Sequence, residues 1–201
     1  MRKLNIPAPE IAKHILTASF LVFIMSSCKT SSISLIERDD GFTNLISHEG
    51  SFSAIMPVKP KRSVKKSKSR IGDLENYIYA CMVDRSEKDT YVFLISYVDY
   101  PGNMMLSVNK NDIMQNAILG SMRKLEGPRL LVEKPITLQN NPGYEAIFTG
   151  YQADGGRLVM AKERIFLVNN RMYILLMMTE ASNSHNIADR FFNSFKITTN
   201  I

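Results

Sequence analysis

RLVMAKERIFLVNNRMYILLMMT, residues 157–179, reads as two strands and the turn between them. Asn169-Asn170 separates two runs of large apolar residues, and asparagine tolerates the positive φ that a tight hairpin needs. The second run, RMYILLMMT at 171–179, is nearly unbroken hydrophobe. A strand apolar on both sides must be covered on both sides, which places it centrally in a sheet. The first run is interrupted by Lys162, Glu163 and Arg164, and side chains alternate across a strand, so Glu163 faces away from the other two. The trio is either a charged patch usable for docking or a sheet margin where the strand passes a helix edge into water.

Outward from this hairpin the pattern continues. RLLVEKPITL (129–138) and PGYEAIFTGYQA (142–153) are further strands, and QNN and DGG at their ends are turn residues, giving a four-strand meander. Upstream, SFSAIMP alternates, with Phe52, Ala54 and Met56 on one face and Pro57 and Pro60 ending the run. DLENYIYACMV (73–83) and TYVFLISYVDY (90–100) are strands joined by the polar DRSEKD. In the second, Tyr91, Phe93, Ile95 and Tyr97 share one face and Val92, Leu94 and Val98 the other.

The period then becomes helical. Met114, Ile118, Met122 and Leu125 form a stripe, Asn109 or Asn111 is the N-cap, and Gly127-Pro128 is the stop signal. A closing helix in SNSHNIADRFFNSF (182–195) lines up Ile187, Ala188, Phe191, Phe192 and Phe195. Sequential strands on short turns make an antiparallel sheet of about six or seven strands, largely meander. With helices on both faces, the class is α+β.

The N-terminus gives the address. Arg2, Lys3 and Lys13 against Glu10 precede an uncharged run, Ile15 to Met25. As a helix those residues would span about 16 Å, half of a hydrocarbon core of about 30 Å, which suits an export signal and not a span. Met25-Ser26-Ser27-Cys28 resembles the lipobox of bacterial lipoproteins. The resemblance implies cleavage between Ser27 and Cys28, with Cys28 becoming an acylated first residue. The expected division is a signal peptide over 1–27, lipidated cysteine and linker over 28–41, and one globular domain over 42–201. Lys29, in place of the aspartate associated with inner-membrane retention, leans the reading toward the outer membrane.

Composition excludes more than it selects. Hydrophobic content of 45% and charged content of 22% are ordinary for a globular chain. Loss of residues 1–27 removes three basic residues and one acidic one, lowering the formal charge from +6 to +4. Cys81 is then the one other cysteine, and on an apolar strand it reads as a core residue. His48 and His185 have no spacing that suggests a catalytic triad, and no metal-ligand motif, P-loop or dinucleotide fingerprint is present. No cofactor, no metal and no catalytic residue is expected.

The strongest charge run is KPKRSVKKSKSR (59–70), carrying Lys59, Lys61, Arg62, Lys65, Lys66, Lys68 and Arg70 without an acid. It reads as an exposed loop, either simply solvated or in contact with an anionic surface. Aromatics are not interleaved with the basic residues, which argues against nucleic acid.

The order of elements resembles the PsbP-like fold, an α/β/α sandwich found in an extrinsic photosystem II subunit and in many bacterial lipoproteins and envelope domains. SFSAIMPVKPK (51–61), YVDYP (97–101), NNPGYEAIF (140–148), RIFLVNNRMY (164–173) and ADRFFNSFKI (188–197) carry the likeness. It implies a docking or assembly module and brings no catalytic residues. The expected function is therefore a lipid-anchored cell-envelope protein, non-catalytic, that binds or scaffolds a protein partner. The alternative is a small-molecule or lipid binder using a groove near Tyr144, Phe148 and Tyr151.

Overall fold

The computed structural model describes residues 33–69, 72–84, 90–102, 108–153, 156–180 and 186–198. Ser27, Cys28, Arg70, His185 and the connection at 85–89 lie outside the described residues.

The hairpin at 157–179 organises the chain as its sequence demands. Its strands are β9 (Leu158–Val168) and β10 (Arg171–Glu180), Arg171 pairs with Val168, and Asn169 takes the positive φ of 55° that closes the turn. The meander is completed by β7 (Glu126–Leu138) and β8 (Asn141–Tyr151). Three earlier strands, β4 (Lys61–Ser69), β5 (Gly72–Asp84) and β6 (Thr90–Asp99), extend it to a seven-stranded sheet in the order β4-β5-β6-β10-β9-β8-β7. The nearly continuous hydrophobe of β10 occupies the centre, where both of its faces are buried.

A second sheet was not foreseen. Strands β1 (Ile33–Glu37), β2 (Thr43–Ser47), β3 (Phe52–Met56) and β11 (Lys196–Ile197) form a four-stranded antiparallel sheet in the order β1-β2-β3-β11. Helix α1 (Lys110–Met122) follows β6, and α2 (Asn186–Ser194) precedes β11.

Alternation along β6 and β10 feeds two separate cores. Phe93, Ile95, Tyr97, Tyr173, Leu175 and Met177 point to one face, with Phe52, Ala54 and Met56 of the small sheet and Ala188, Phe191, Phe192 and Phe195 at the closing helix. Val98, Met172 and Ile174 point to the other face, with Met114, Ala117, Ile118 and Met122 of α1.

Three readings are corrected. The polar segment 29–40 is not all linker, because Ile33–Glu37 pairs with β2 as an edge strand. Its Ile33 and Leu35 pack against the core, a short alternation hidden among serines. The basic run is not a loop: Lys61–Ser69 pairs with β5 along its whole length. An edge strand needs a partner on one side only, and lysines on the other side discourage further strands from adding, so apolar alternation is absent. The α1 helix ends at Met122 and not at Gly127-Pro128. Glu126 pairs with Tyr151, and that strand pairing takes over the chain first. The N-cap is Asn109, whose side chain accepts from the Asn111 N–H at 3.0 Å.

Candidate functional site

The two ends of the seven-stranded sheet differ in chemistry, and register fixes what stands at each. At one end, Tyr77, Tyr97 and Tyr173 are direct cross-strand partners on β5, β6 and β10. Tyr77 stacks on Tyr97 with ring centroids 4.7 Å apart and planes 5° from parallel. Arg62 lies over the Tyr77 ring at 5.2 Å and Arg171 over the Tyr97 ring at 4.8 Å. The turn between β2 and β3 seats on this ladder. Ser47 Oγ shares a 3.1 Å hydrogen bond with Tyr79 Oη, Tyr173 Oη donates to Gly50 O at 2.8 Å, and Arg171 Nη1 donates to Glu49 O at 2.9 Å. Gly50 presses so close that an added Cβ would stand 2.7 Å from the Phe52 and Tyr97 rings, so no other residue fits without a shift.

The electrostatics of this end are those of a locked joint. Arg171 grips Asp99 through two hydrogen bonds of 2.6 and 2.7 Å, and this pairing drives the guanidinium above its usual range. Burial drives Tyr97 upward, so its hydroxyl stays protonated. Tyr97 is 1% exposed, and its Oη has no hydrogen-bond partner among the described residues. Tyr77 Oη donates to Glu75 at 2.7 Å, and Arg62 Nη2 donates to Glu49 Oε2 at 3.1 Å.

In the middle of the same face, buried Glu145 gathers the charges that the sequence left in doubt. Arg164 Nε stands 2.7 Å from it, Lys134 Nζ 3.0 Å and Lys162 Nζ 3.7 Å. Burial would raise this carboxyl, but the hydrogen bonds from Arg164 and Lys134 outweigh it and hold it below the ordinary range. Lys162 and Arg164 also cover the Phe192 ring, and Lys162 reaches Asp189, so the patch fastens α2 to the sheet.

Glu163 does face the opposite way, but the sheet-margin reading fails for it: the residue is 0% exposed. Ser121 Oγ donates to its Oε1 at 2.7 Å, while Oε2 and the nearby Lys124 Nζ have no hydrogen-bond partner among the described residues. Burial pushes Glu163 up to about 8 and Lys124 down to about 7.

The far end of the sheet exposes apolar side chains beside the charged Glu126 and Arg129. Tyr151 and Leu158 are direct partners on β8 and β9, 47% and 44% exposed. By register they share a face with Arg129, Thr149 and Met160, and beyond these with Ile147 and Val132, which is 38% exposed. Position 151 differs from 144 and 148 by an odd number, so Tyr151 lies on the other face from Tyr144 and Phe148. Phe148 itself is buried in the α1 core. The three residues therefore do not line one groove, which corrects the alternative reading.

Cys81 is buried, and burial pushes its thiol up to about 11, as suits a core residue. Lys59, Lys61, Lys66 and Lys68 are exposed, Arg62 and Lys65 half-buried. Among the described residues no group of three or more His, Cys, Asp or Glu side chains could hold a metal ion, and no helix is long and apolar enough to cross a membrane.

The tyrosine ladder was missed in the sequence although YIY, YVDY and RMYILLMMT contain its three members. Nothing local says that β5, β6 and β10 would align Tyr77, Tyr97 and Tyr173 in one row. The small sheet's β2 was missed too, because TNLIS is short and its partners are β1 and β3, both brief.

No family model and no curated protein matches the sequence. Similar solved structures include the cyanobacterial PsbP protein CyanoP of Synechocystis sp. PCC 6803, at 10% identity and a TM-score of 0.49, covering 86% of this chain and 98% of that one. LpqN, involved in cell envelope biogenesis of Mycobacterium tuberculosis, has 12% identity and a TM-score of 0.46, covering 85% and 93%. A protein of unknown function from Pseudomonas aeruginosa, a suggested regulator, has 16% identity and a TM-score of 0.46, covering 62% and 90%.

Proposed function

We propose that this chain is a non-catalytic, lipid-anchored module of the bacterial cell envelope that presents the Val132–Tyr151–Leu158 face to a protein partner. One observation carries the reading: the exposed side chains of Val132, Tyr151 and Leu158 and the start of the described chain lie at opposite ends of the sheet. Ile33 pairs with Ser47, at the start of the β2–β3 turn whose Gly50 O accepts from Tyr173 of the tyrosine ladder. Five residue steps separate Cys28 from Ile33, a reach of at most roughly 17 Å. An acylated Cys28 would thus hold the ladder end close to the bilayer. The Tyr151 end would point away, about 35 Å along β9 at the usual rise per strand residue. Tyrosine and arginine beside aliphatic side chains form the kind of surface on which interface energy concentrates.

Two outcomes follow. Labelled palmitate is expected in the native chain and absent from Cys28→Ser, which should move from the membrane to the soluble fraction. Equal labelling of the two proteins rejects the anchor. Tyr151→Lys with Leu158→Lys is expected to abolish crosslinks formed from a photoreactive residue at Thr149 to an envelope protein. Unfolding free energy should change by only about 0.5 kcal/mol per site, because both side chains are exposed. Undiminished crosslinks would reject this face as the partner surface.

A further inference from the structure

Helix α1 packs on β7, β8 and β9. Beyond it, on the same face of the large sheet, Leu176 and Met178 of β10 and Ile78 and Ala80 of β5 are only half-buried, and Met82 is 48% exposed. Register joins these residues into a strip. Leu176 stands directly opposite Glu163 on one side and Leu94 on the other, and Leu94 stands opposite Ala80. From Glu163 to Ala80 the strip crosses three strand spacings, about 14 Å. Ala146 and Phe148 of β8 face this side, so Tyr151 lies on the other and the strip is separate from the partner surface.

Two buried polar groups stand at the inner end of the strip. Ser121 Oγ donates to Glu163 Oε1, and the Lys124 N–H donates to Ser121 O at 3.3 Å, which holds Lys124 beside Ser121 at the end of α1. Glu163 Oε2 and Lys124 Nζ are both buried, and neither has a hydrogen-bond partner among the described residues. Leaving such groups unpaired is costly, and native folds keep them where water, an ion or a ligand supplies the missing bonds. The strongest partner for an ammonium is an anionic acceptor. Ser121 donates to Oε1, so the proton that burial retains on Glu163 belongs on Oε2, which then donates as well. An apolar floor with a few convergent polar groups is the make-up of a small-molecule site.

We infer that the Glu163–Lys124 pair and the strip from Leu176 to Met82 form a binding site for a single-chain amphiphile with a carboxylate head. One oxygen of the head accepts from Lys124 Nζ and the other from Glu163 Oε2. The chain lies over Leu176, Leu94 and Ala80 and ends near Met82.

The test uses the full chain as Cys28→Ser, so that no acyl group at position 28 competes, with laurate below its micelle concentration. Laurate is expected to bind with a measurable heat and to raise the melting temperature as its concentration rises. Lauryl alcohol, with the tail and no charge, and acetate, with the charge and no tail, should each bind at least about tenfold more weakly. Lys124→Met removes an unpaired buried charge and should fold, yet bind laurate no better than lauryl alcohol. Laurate carrying a photoreactive group at its chain end is expected to label Ala80 or Met82. Absence of both heat and melting shift overturns the inference and leaves the two groups to bound water. Equal affinity in Lys124→Met, or labelling of the Tyr151–Leu158 face instead, overturns it too.

Discussion

Phe52→Ala is expected to cost about 3–5 kcal/mol, the usual range for emptying a fully buried phenylalanine site. The residue is 0% exposed and stands where the two sheets and the closing helix meet. Its ring contacts Tyr79 edge-on at 5.5 Å, Tyr97 and Tyr173 at 6.2 Å, and Phe195 in a stack at 5.5 Å. These partners belong to four separate pieces of chain, so the hole cannot be closed by one side chain shifting. Against a total stability of about 5–15 kcal/mol, the variant would be marginal or unfolded at growth temperature. Urea denaturation of the two proteins measures the difference, and a loss under about 1 kcal/mol would show that Phe52 is not the joint described here.

The second large effect is a dependence of stability on pH set by Glu163 and Lys124. Glu163 has its pKa raised from the ordinary 4.5 to about 8. Between those values the folded chain keeps a proton that the unfolded chain has released, so stability falls as pH rises, by up to about 1.4 kcal/mol per pH unit. Lys124 is lowered from 10.5 to about 7. Between 7 and 10.5 the unfolded chain holds the extra proton, and stability rises with pH.

The two limbs meet in a trough near pH 7–8. Glu163→Gln keeps an acceptor for Ser121 and removes the falling limb, and Lys124→Met removes the rising one. Melting temperature measured from pH 5 to 9 should therefore fall then rise in the native chain. It should only rise in Glu163→Gln and only fall in Lys124→Met. A Gln variant whose profile parallels the native one below pH 8 would contradict the burial of an unpaired carboxyl. Such a group weakens the fold, and an apolar replacement of the pair is the stabilising change.

Neither effect is visible in the sequence at equal depth. The apolar face of β3 is plain in SFSAIMP, but that Phe52 touches three tyrosines from three strands is a matter of how two sheets stack. Alternation states that Glu163 faces away from Lys162 and Arg164. It does not state that the far face lies under α1, because the helix is placed by a crossover between β6 and β7 and not by its neighbours in the chain. Edge strands were the least legible. Lys61–Ser69 and Ile33–Glu37 pair through the backbone at sheet edges, so the first carries no hydrophobic period and the second only the brief alternation of Ile33 and Leu35.

The sequence by itself determined the central hairpin, the meander around it and the helical stripe of α1, since each depends on the local periodicity of apolar residues and on turn chemistry at Asn169-Asn170. Only the tertiary structure decided that a second sheet exists, that the lysine run is an edge strand, and that the exposed Tyr151–Leu158 face lies at the end opposite the one where Ile33 enters. Those are relations between segments distant in sequence, fixed by backbone pairing and by the stacking of two apolar faces, and no local pattern of residues encodes them.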